Sequence, residues 1–310
     1  MTSKLNYQLG RLLATVAGLV LAVAVCSPAS AQFPEHDIMF IVPYAPGGGS
    51  DQQARRIQAG MEAALGVTLQ IVYKDGGGGA IGFNELYRAK PDGYTIANVV
   101  VPNIIVTAEG EDVGYKPEEF AYIGMTEQAV GALMVPKGSK FKSLDDFVAF
   151  AKENPGKVTV AGVGATGEES TKNFTDLHDI EISYVPISGG VGDMMPMLAG
   201  NHIDAGVTSS SHAVRHAETV DTLVIAGDVA SESLPGVPNE PRWNYVTTWG
   251  IMAPPGTPDD VIATLNAALN KATADASVRD ALIKTGLTPM SQTPAEAKQF
   301  IADAIAKNTM

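Results

Sequence analysis

Cysteine is almost missing from this chain of 310 residues, which carries a single one, Cys26. One cysteine can close no internal disulfide and build no thiolate metal cluster, so the fold has to be held by packing. Positive charge is also scarce: 21 Lys and Arg stand against 34 Asp and Glu, a formal charge of -13. That balance opposes non-specific binding to nucleic acid or anionic lipid. The five histidines include His212 and His216, which share a helical face. HAVRH lacks the glutamate of HExxH and an evident third ligand, so no metal is expected and the pair reads as structural or surface. No GxSxG elbow surrounds Ser209, Ser210 and Ser211, and Asp145 and Asp146 are adjacent rather than convergent, so no catalytic site is expected. No GxxxxGK[ST] phosphate loop is present, and no cofactor is expected.

Long hydrophobic runs are lacking too. Leu12 to Val25 is too short for a confident membrane span. With Lys4 and Arg11 before it and SPASA at Ser27 to Ala31 after it, the run reads as a leader cleaved near Ala31, with a retained anchor as the alternative. Cleavage there removes Cys26, takes the formal charge to -15, and points to the periplasm, with no stable membrane insertion of the mature chain.

What is present is a repeated strand, glycine turn and helix. HDIMFIVPY predicts a strand, APGGGSD a turn, and QQARRIQAGMEAALG a helix with Ala54, Ile57, Met61 and Leu65 on one face. VTLQIVY, DGGGGAIGFNELYRAK and YTIANVV repeat the plan. FAYIGMTEQAVGALMVP reads as one or two strands, after which SLDDFVAFAKEN, KVTVAG, VGATGEES and ISYVPI begin the plan again. SESLPGVPNEPRW is an irregular connector. TPDDVIATLNAALNKATAD and TPAEAKQFIADAIAK each read as a helix with a threonine cap and a proline start. The expectation is an α/β protein of two lobes, mostly parallel sheet in each with flanking helices. Its divisions are a leader at 1–31, the first lobe over 32–130, the second over 131–240, and a return to the first over 241–310, where the final helix could instead pack on the second.

The glycine turns carry the functional signal. Gly77, Gly79 and Gly82, and again Gly162, Gly164 and Gly167, match GxGxxG, but neither following strand ends in the acid that would hold a ribose, so a dinucleotide is not expected. The general physics remains: a glycine turn lets backbone approach a ligand, and the helix beyond offers unpaired N–H groups and the positive end of its dipole. Gly47 to Asp51 and Gly76 to Gly82, at neighbouring strand ends, could together cradle one carboxylate, or could simply make tight turns. Ser50 could donate to an anion or cap its helix; Asp51 could accept from a ligand amine or favour the helix start. Thr166 and Thr208 to Ser211 could close over a ligand or serve as caps and turns.

In order and spacing, IVPYAPGGGSDQQARRI, VYKDGGGGAIG, YVPISGGVGDMMPMLAGNHIDAG and WGIMAPPGTPDDVIATLNAALNKA with LIKTGLTPMSQTPAEAKQFI resemble the periplasmic solute-binding receptors of tripartite tricarboxylate transporters, the Bug receptors. The resemblance runs from about Phe33 to the C-terminus. It implies a two-lobed Venus-flytrap fold which binds a small organic carboxylate in its cleft and hands it to membrane transporter subunits; the chain is expected to be monomeric. The residues it implies for the ligand are Tyr44, Pro46, Gly47, Gly48, Gly49, Ser50 and Asp51, then Gly77, Gly78, Gly79, Ala80 and Ile81. The second lobe would add Ala165, Thr166 and Gly167, the Ser188 and Gly189 turn, and Ser209 and Ser210. Hinges are expected near 127–132 and 235–248. Three departures stand out: Asp75 where the family commonly has proline, which should point outward; Ile187 and Ser188 where it commonly has tyrosine and lysine; and Tyr73 where it often has asparagine. Losing the lysine implies a ligand whose distal end is less charged, hydroxylated or aromatic. A sensor of the same fold, a secreted α/β enzyme and a structural envelope protein are the rival readings.

Overall fold

A computed structural model describes residues 33–109, 113–228 and 230–308; the leader and Cys26 lie outside them. The first three strands, β1 (Ile38–Val42), β2 (Leu69–Tyr73) and β3 (Thr95–Val101), pair in parallel with β1 in the middle. The helix between β1 and β2, α1 (Gly49–Leu65), buries Ala54, Ile57 and Met61, the stripe its spacing predicts. It stops at Gly66, whose left-handed backbone lets its N–H bond Glu62 O. After β2 come a single turn at Gly77–Gly79 and α2 (Ala80–Tyr87). A further helix not foreseen from the sequence, α3 (Asn103–Glu109), begins directly after β3.

The stretch read as one or two strands is one, β4 (Ala121–Pro136), and it serves two sheets. Up to Val130 it runs antiparallel to β10 (Val246–Ala253); from Gly131 it runs antiparallel to β7 (Ala205–Ser209) and β8 (Val220–Ala226). The second sheet adds β5 (Thr159–Val163), parallel to both β6 (Ser183–Ile187) and β7, and the short β9 (Asn239–Glu240), parallel to β8. The βα units are thus parallel as expected. The antiparallel pairings that make the sheets mixed come from β4 and from β10, which returns between β3 and β4.

Helices cover both sheets: α4 (Leu144–Glu153), α5 (Gly164–His178), α6 (Val191–Ala199) and α7 (Ser210–Arg215) with the second, and α8 (Asp259–Thr273), α9 (Ala276–Lys284) and α10 (Pro294–Asn308) in the returning chain. Each lobe has its own aromatic packing. Phe83 meets Tyr115 edge-on at 5.6 Å in the first, while Phe174 lies 5.0 Å from Trp243 in the second, with Trp243 Nε1 donating to Ser170 O. Ser143 caps α4, and Thr293 caps α10 as expected, in a reciprocal box with Glu296. Thr257 differs from expectation: its hydroxyl donates to Pro254 O, and Pro258 is the residue before α8.

Both GxGxxG patterns end in a packing glycine. A Cβ at Gly82 would lie 2.7 Å from Pro43 Cβ, and one at Gly167 would lie 2.6 Å from Gly162 C. Helix and strand touch there, and the patterns are accounted for without a nucleotide.

Candidate functional site

The strand ends and helix starts converge on a cavity of about 50 Å³. From the first lobe it is bordered by Tyr44, by Gly48, Gly49 and Ser50 at the start of α1, by Val100 and Asn103 at the step from β3 into α3, and by Thr247 and Trp249 of β10. From the second it receives Val163, Val191, Thr208, Ser209 and His212, and Tyr245 closes it beside β10.

Packing fixes the start of α1. Asn98 Nδ2 donates to Gln53 Oε1, Gln53 Nε2 to Thr126 Oγ1, and Thr126 Oγ1 to Trp249 O, a buried chain joining α1 to β3, β4 and β10. Trp249 then lies so close to the turn that a Cβ at Gly49 would meet its ring at 2.7 Å. Side chain is excluded there because an indole already fills the space.

None of the residues bordering the cavity is Lys, Arg, Asp or Glu. The donors it can offer an anion come instead from main chain and hydroxyls. Three helices of useful length begin at its wall, α1, α5 and α6, and the residues before them, Gly48, Val163 and Gly190, supply no side-chain cap. Away from the cavity, Ser143 and Asp275 cap α4 and α9. An uncapped start leaves N–H groups that lack a carbonyl partner and concentrates the dipole's positive end.

Two hydroxyls point to the same conclusion. Tyr44 OH and Thr247 Oγ1 are buried at the cavity without a well-formed hydrogen bond among the described residues, although the Asn103 amide lies close to the Tyr44 phenol and the Tyr245 phenol lies close to Thr247. Leaving such a group unpaired costs about 1–3 kcal/mol. Burial holds the Tyr44 pKa well above its ordinary value, so the phenol keeps its proton and can donate.

Asp51 is taken up within the first lobe. Its carboxylate accepts from Gly47 N–H at 2.8 Å, Tyr73 OH at 2.7 Å and Arg55 Nε at 2.7 Å. Burial opposes its ionisation, but these donors and the Arg55 charge outweigh it and lower the pKa. Asp51 therefore shapes the helix start, and Tyr73, in place of the more usual asparagine, is part of what holds it. Asp75 is exposed, as its charge requires.

Of the residues expected from sequence, Tyr44, Gly48, Gly49, Ser50 and Ser209 border the cavity. Gly77, Gly78, Gly79, Ala80 and Ile81 do not, because Tyr44 intervenes: its OH lies 2.9 Å from where a Cβ of Gly79 would be, and Ile81 is 54% exposed. Ser210 borders a separate groove with Gln128 and Val246. Ser188 is exposed, Gly167 packs on β5, and Thr166 is buried with its hydroxyl unpartnered but is not part of the cavity wall.

Several of these residues instead form a seam between the lobes. Ala45 N–H donates to Gly189 O at 2.8 Å. A Cβ at Gly192 would stand 2.3 Å from Pro46 O, and one at Gly164 would stand 3.1 Å from Gly78 Cα. Ala165 is half-buried beside Gly164, and Gly47 is exposed at the outer edge of the first turn.

Sequence reasoning missed Val100, Asn103, Val163, Val191, His212, Tyr245, Thr247 and Trp249 as cavity residues. The available signals were positional: Asn103, Val163 and Val191 sit at strand-to-helix steps, and His212 follows the TSSS turn after β7.

Among the described residues no helix is long and apolar enough to cross a membrane, and no group of His, Cys, Asp and Glu could hold a metal ion. Residues 53–310 match the model of the tripartite tricarboxylate transporter family receptor. Protein BugT of Bordetella pertussis is 28% identical over 310 residues, spanning 96% of this chain and 95% of that protein. Among solved structures, one described as a periplasmic transporter superposes with a TM-score of 0.85 at 28% identity, covering 89% of this chain and 95% of the other. MatC from Rhodopseudomonas palustris with bound malate superposes with a TM-score of 0.83 at 26% identity, covering 89% and 98%.

Proposed function

This chain belongs to the tripartite tricarboxylate transporter receptor family, a periplasmic solute-binding receptor and not an enzyme, and from that premise we propose that its cargo is a small organic acid held by one carboxylate at the starts of α1, α5 and α6. The observation that carries the reading is a wall with three uncapped helix starts and two unpartnered hydroxyls but no side-chain cation. A hydrogen bond to a charged group contributes about 1.5–3 kcal/mol, and each helix end adds roughly 0.3–1 kcal/mol. A few such bonds reach the total of about -8 kcal/mol that micromolar binding needs.

The mature chain starts after Ala31 and acts as a monomer. Its first lobe comprises 32–130 and most of the return over 241–310, and its second comprises 131–240 with Trp243 and Tyr245 packed into its core. The hinges lie where β4 changes partner between Val130 and Gly131 and in the 235–248 connector. Closure forms the seam at Pro46, Gly78 and Gly189, and the transporter subunits receive the closed form.

The small cavity and the absence of a cation favour an acid of about the size of the malate held by MatC, with a distal end that is hydroxylated or carries less charge than a tricarboxylate's. Native mass spectrometry of protein purified without added ligand, followed by calorimetry with propionate, malate and citrate, tests this. Binding of propionate or malate with little response to citrate is expected. A clear preference for citrate would overturn the assignment.

A further inference from the structure

His212 is the imidazole of the cavity wall, and its neighbours fix what it can offer an occupant. Arg215 Nη1 lies 3.2 Å from His212 Nδ1. A guanidinium only donates, so Nδ1 is the acceptor and carries no proton. The ring is then neutral with its proton on Nε2, the nitrogen left for whatever enters the cavity. Burial, helped by the charge of Arg215 and by His216, keeps the imidazole from becoming a cation by holding its pKa well below the ordinary value.

Arg215 is itself placed by β4. Glu127, 2% exposed, accepts from Arg56 Nη1 at 2.6 Å and also feels the charge of Arg215. Arg56 belongs to α1 and Arg215 to α7, so one carboxylate on β4 balances a cation from each lobe. Glu127 acts on Arg215 through its charge, and Arg215 meets the ring at the cavity.

We propose that His212 is a specificity-determining ligand contact: its Nε2–H donates to an oxygen of the bound acid, and Arg215 is the positioning residue that fixes the tautomer. The inference rests on the reading of the cavity as a carboxylate site. A neutral donor at this wall favours a carboxylate, carbonyl or hydroxyl oxygen and disfavours an ammonium group, which would face an N–H with Arg215 behind it.

The test uses the mature full-length protein, with propionate and malate as probes in calorimetry and with nitrogen-15-labelled histidine in NMR. The unsubstituted protein should show His212 neutral and protonated on Nε2, with the Nε2 resonance moving when the acid is added. His212→Phe keeps a ring and removes the donor, and should weaken binding about 10- to 100-fold. His212→Gln can place an amide N–H near the Nε2 position and should stay within about 5-fold of the original affinity. Arg215→Met should weaken binding and let the second tautomer appear.

Unchanged affinity in a folded His212→Phe variant, or an Nδ1–H tautomer in the unsubstituted protein, would overturn the proposal. If His212→Phe fails to fold, the Nε2 shift on acid addition decides: movement supports the contact and no movement refutes it. Binding of neither probe by the unsubstituted protein would instead defeat the carboxylate reading, and this assignment with it.

Discussion

Gly192→Ala should weaken ligand binding while leaving the fold as stable as before, or slightly more stable. The added Cβ would lie 2.3 Å from Pro46 O, where real Cβ atoms essentially never come closer than 3.0 Å. The obstacle is main chain and cannot swing aside, so the lobes must separate by about 1 Å at this point or distort. Overpacking of this kind costs about 1–3 kcal/mol. If tight binding needs the closed form, the apparent Kd rises by about 5- to 150-fold. Within α6 itself the change replaces a poor helix former by the best one, which contributes up to about 1 kcal/mol in the other direction. Closed-state and fold energies therefore move oppositely. Calorimetry with malate, thermal melting without ligand, and small-angle scattering for compactness would separate them. Equal affinities for Gly192→Ala and the unsubstituted protein would refute the idea that this seam belongs to the binding-competent state.

The chain has two tryptophans, of which Trp249 borders the cavity and Trp243 sits in the second aromatic core; Trp249→Phe should abolish the fluorescence change on adding malate, and a persisting change would place the ligand elsewhere. Asp51→Asn should destabilise the fold by about 1–3 kcal/mol at pH 7. The folded Asp51 pKa is depressed, so its stabilisation is present above the unfolded value near 3.9 and is lost as pH falls through the folded value; denaturant titrations should show the variants converging in acid, and a constant gap would refute the ionic role. Glu127→Gln leaves Arg56 and Arg215 without their shared carboxylate and should cost about 3–5 kcal/mol in chemical denaturation, whereas a loss below about 1 kcal/mol would mean that solvent screens the cluster.

The repeated βα units were legible because glycine turns separate a strand period from a helix period, as between Val42 and Gly49. α3 was not, since Asn103-Ile-Ile-Val follows the valines of β3 with no glycine between them. The start of α1 was recognisable as part of a cavity wall, since Gly48, Gly49 and Ser50 border it, but its partners were less so. The second turn shares its composition, yet Tyr44 screens it from the cavity, an effect of side-chain placement that composition does not encode. Trp249 and Thr247 reach the site because β10 inserts antiparallel between β3 and β4, a long-range pairing without local periodicity. His212 looked structural because its i, i+4 partner His216 suggested a helical face, while the informative neighbour was Arg215.

At its closest points, the seam joins Ala45 N–H to Gly189 O and brings Gly78 against Gly164, peptide groups that every amino-acid sequence possesses. Such a fastening is indifferent to cargo: whatever molecule sits inside, the same main-chain edges must meet before the clasp is shut. On the proposed closure, cavity residues can therefore differ from one receptor to another without altering the main-chain edges that meet.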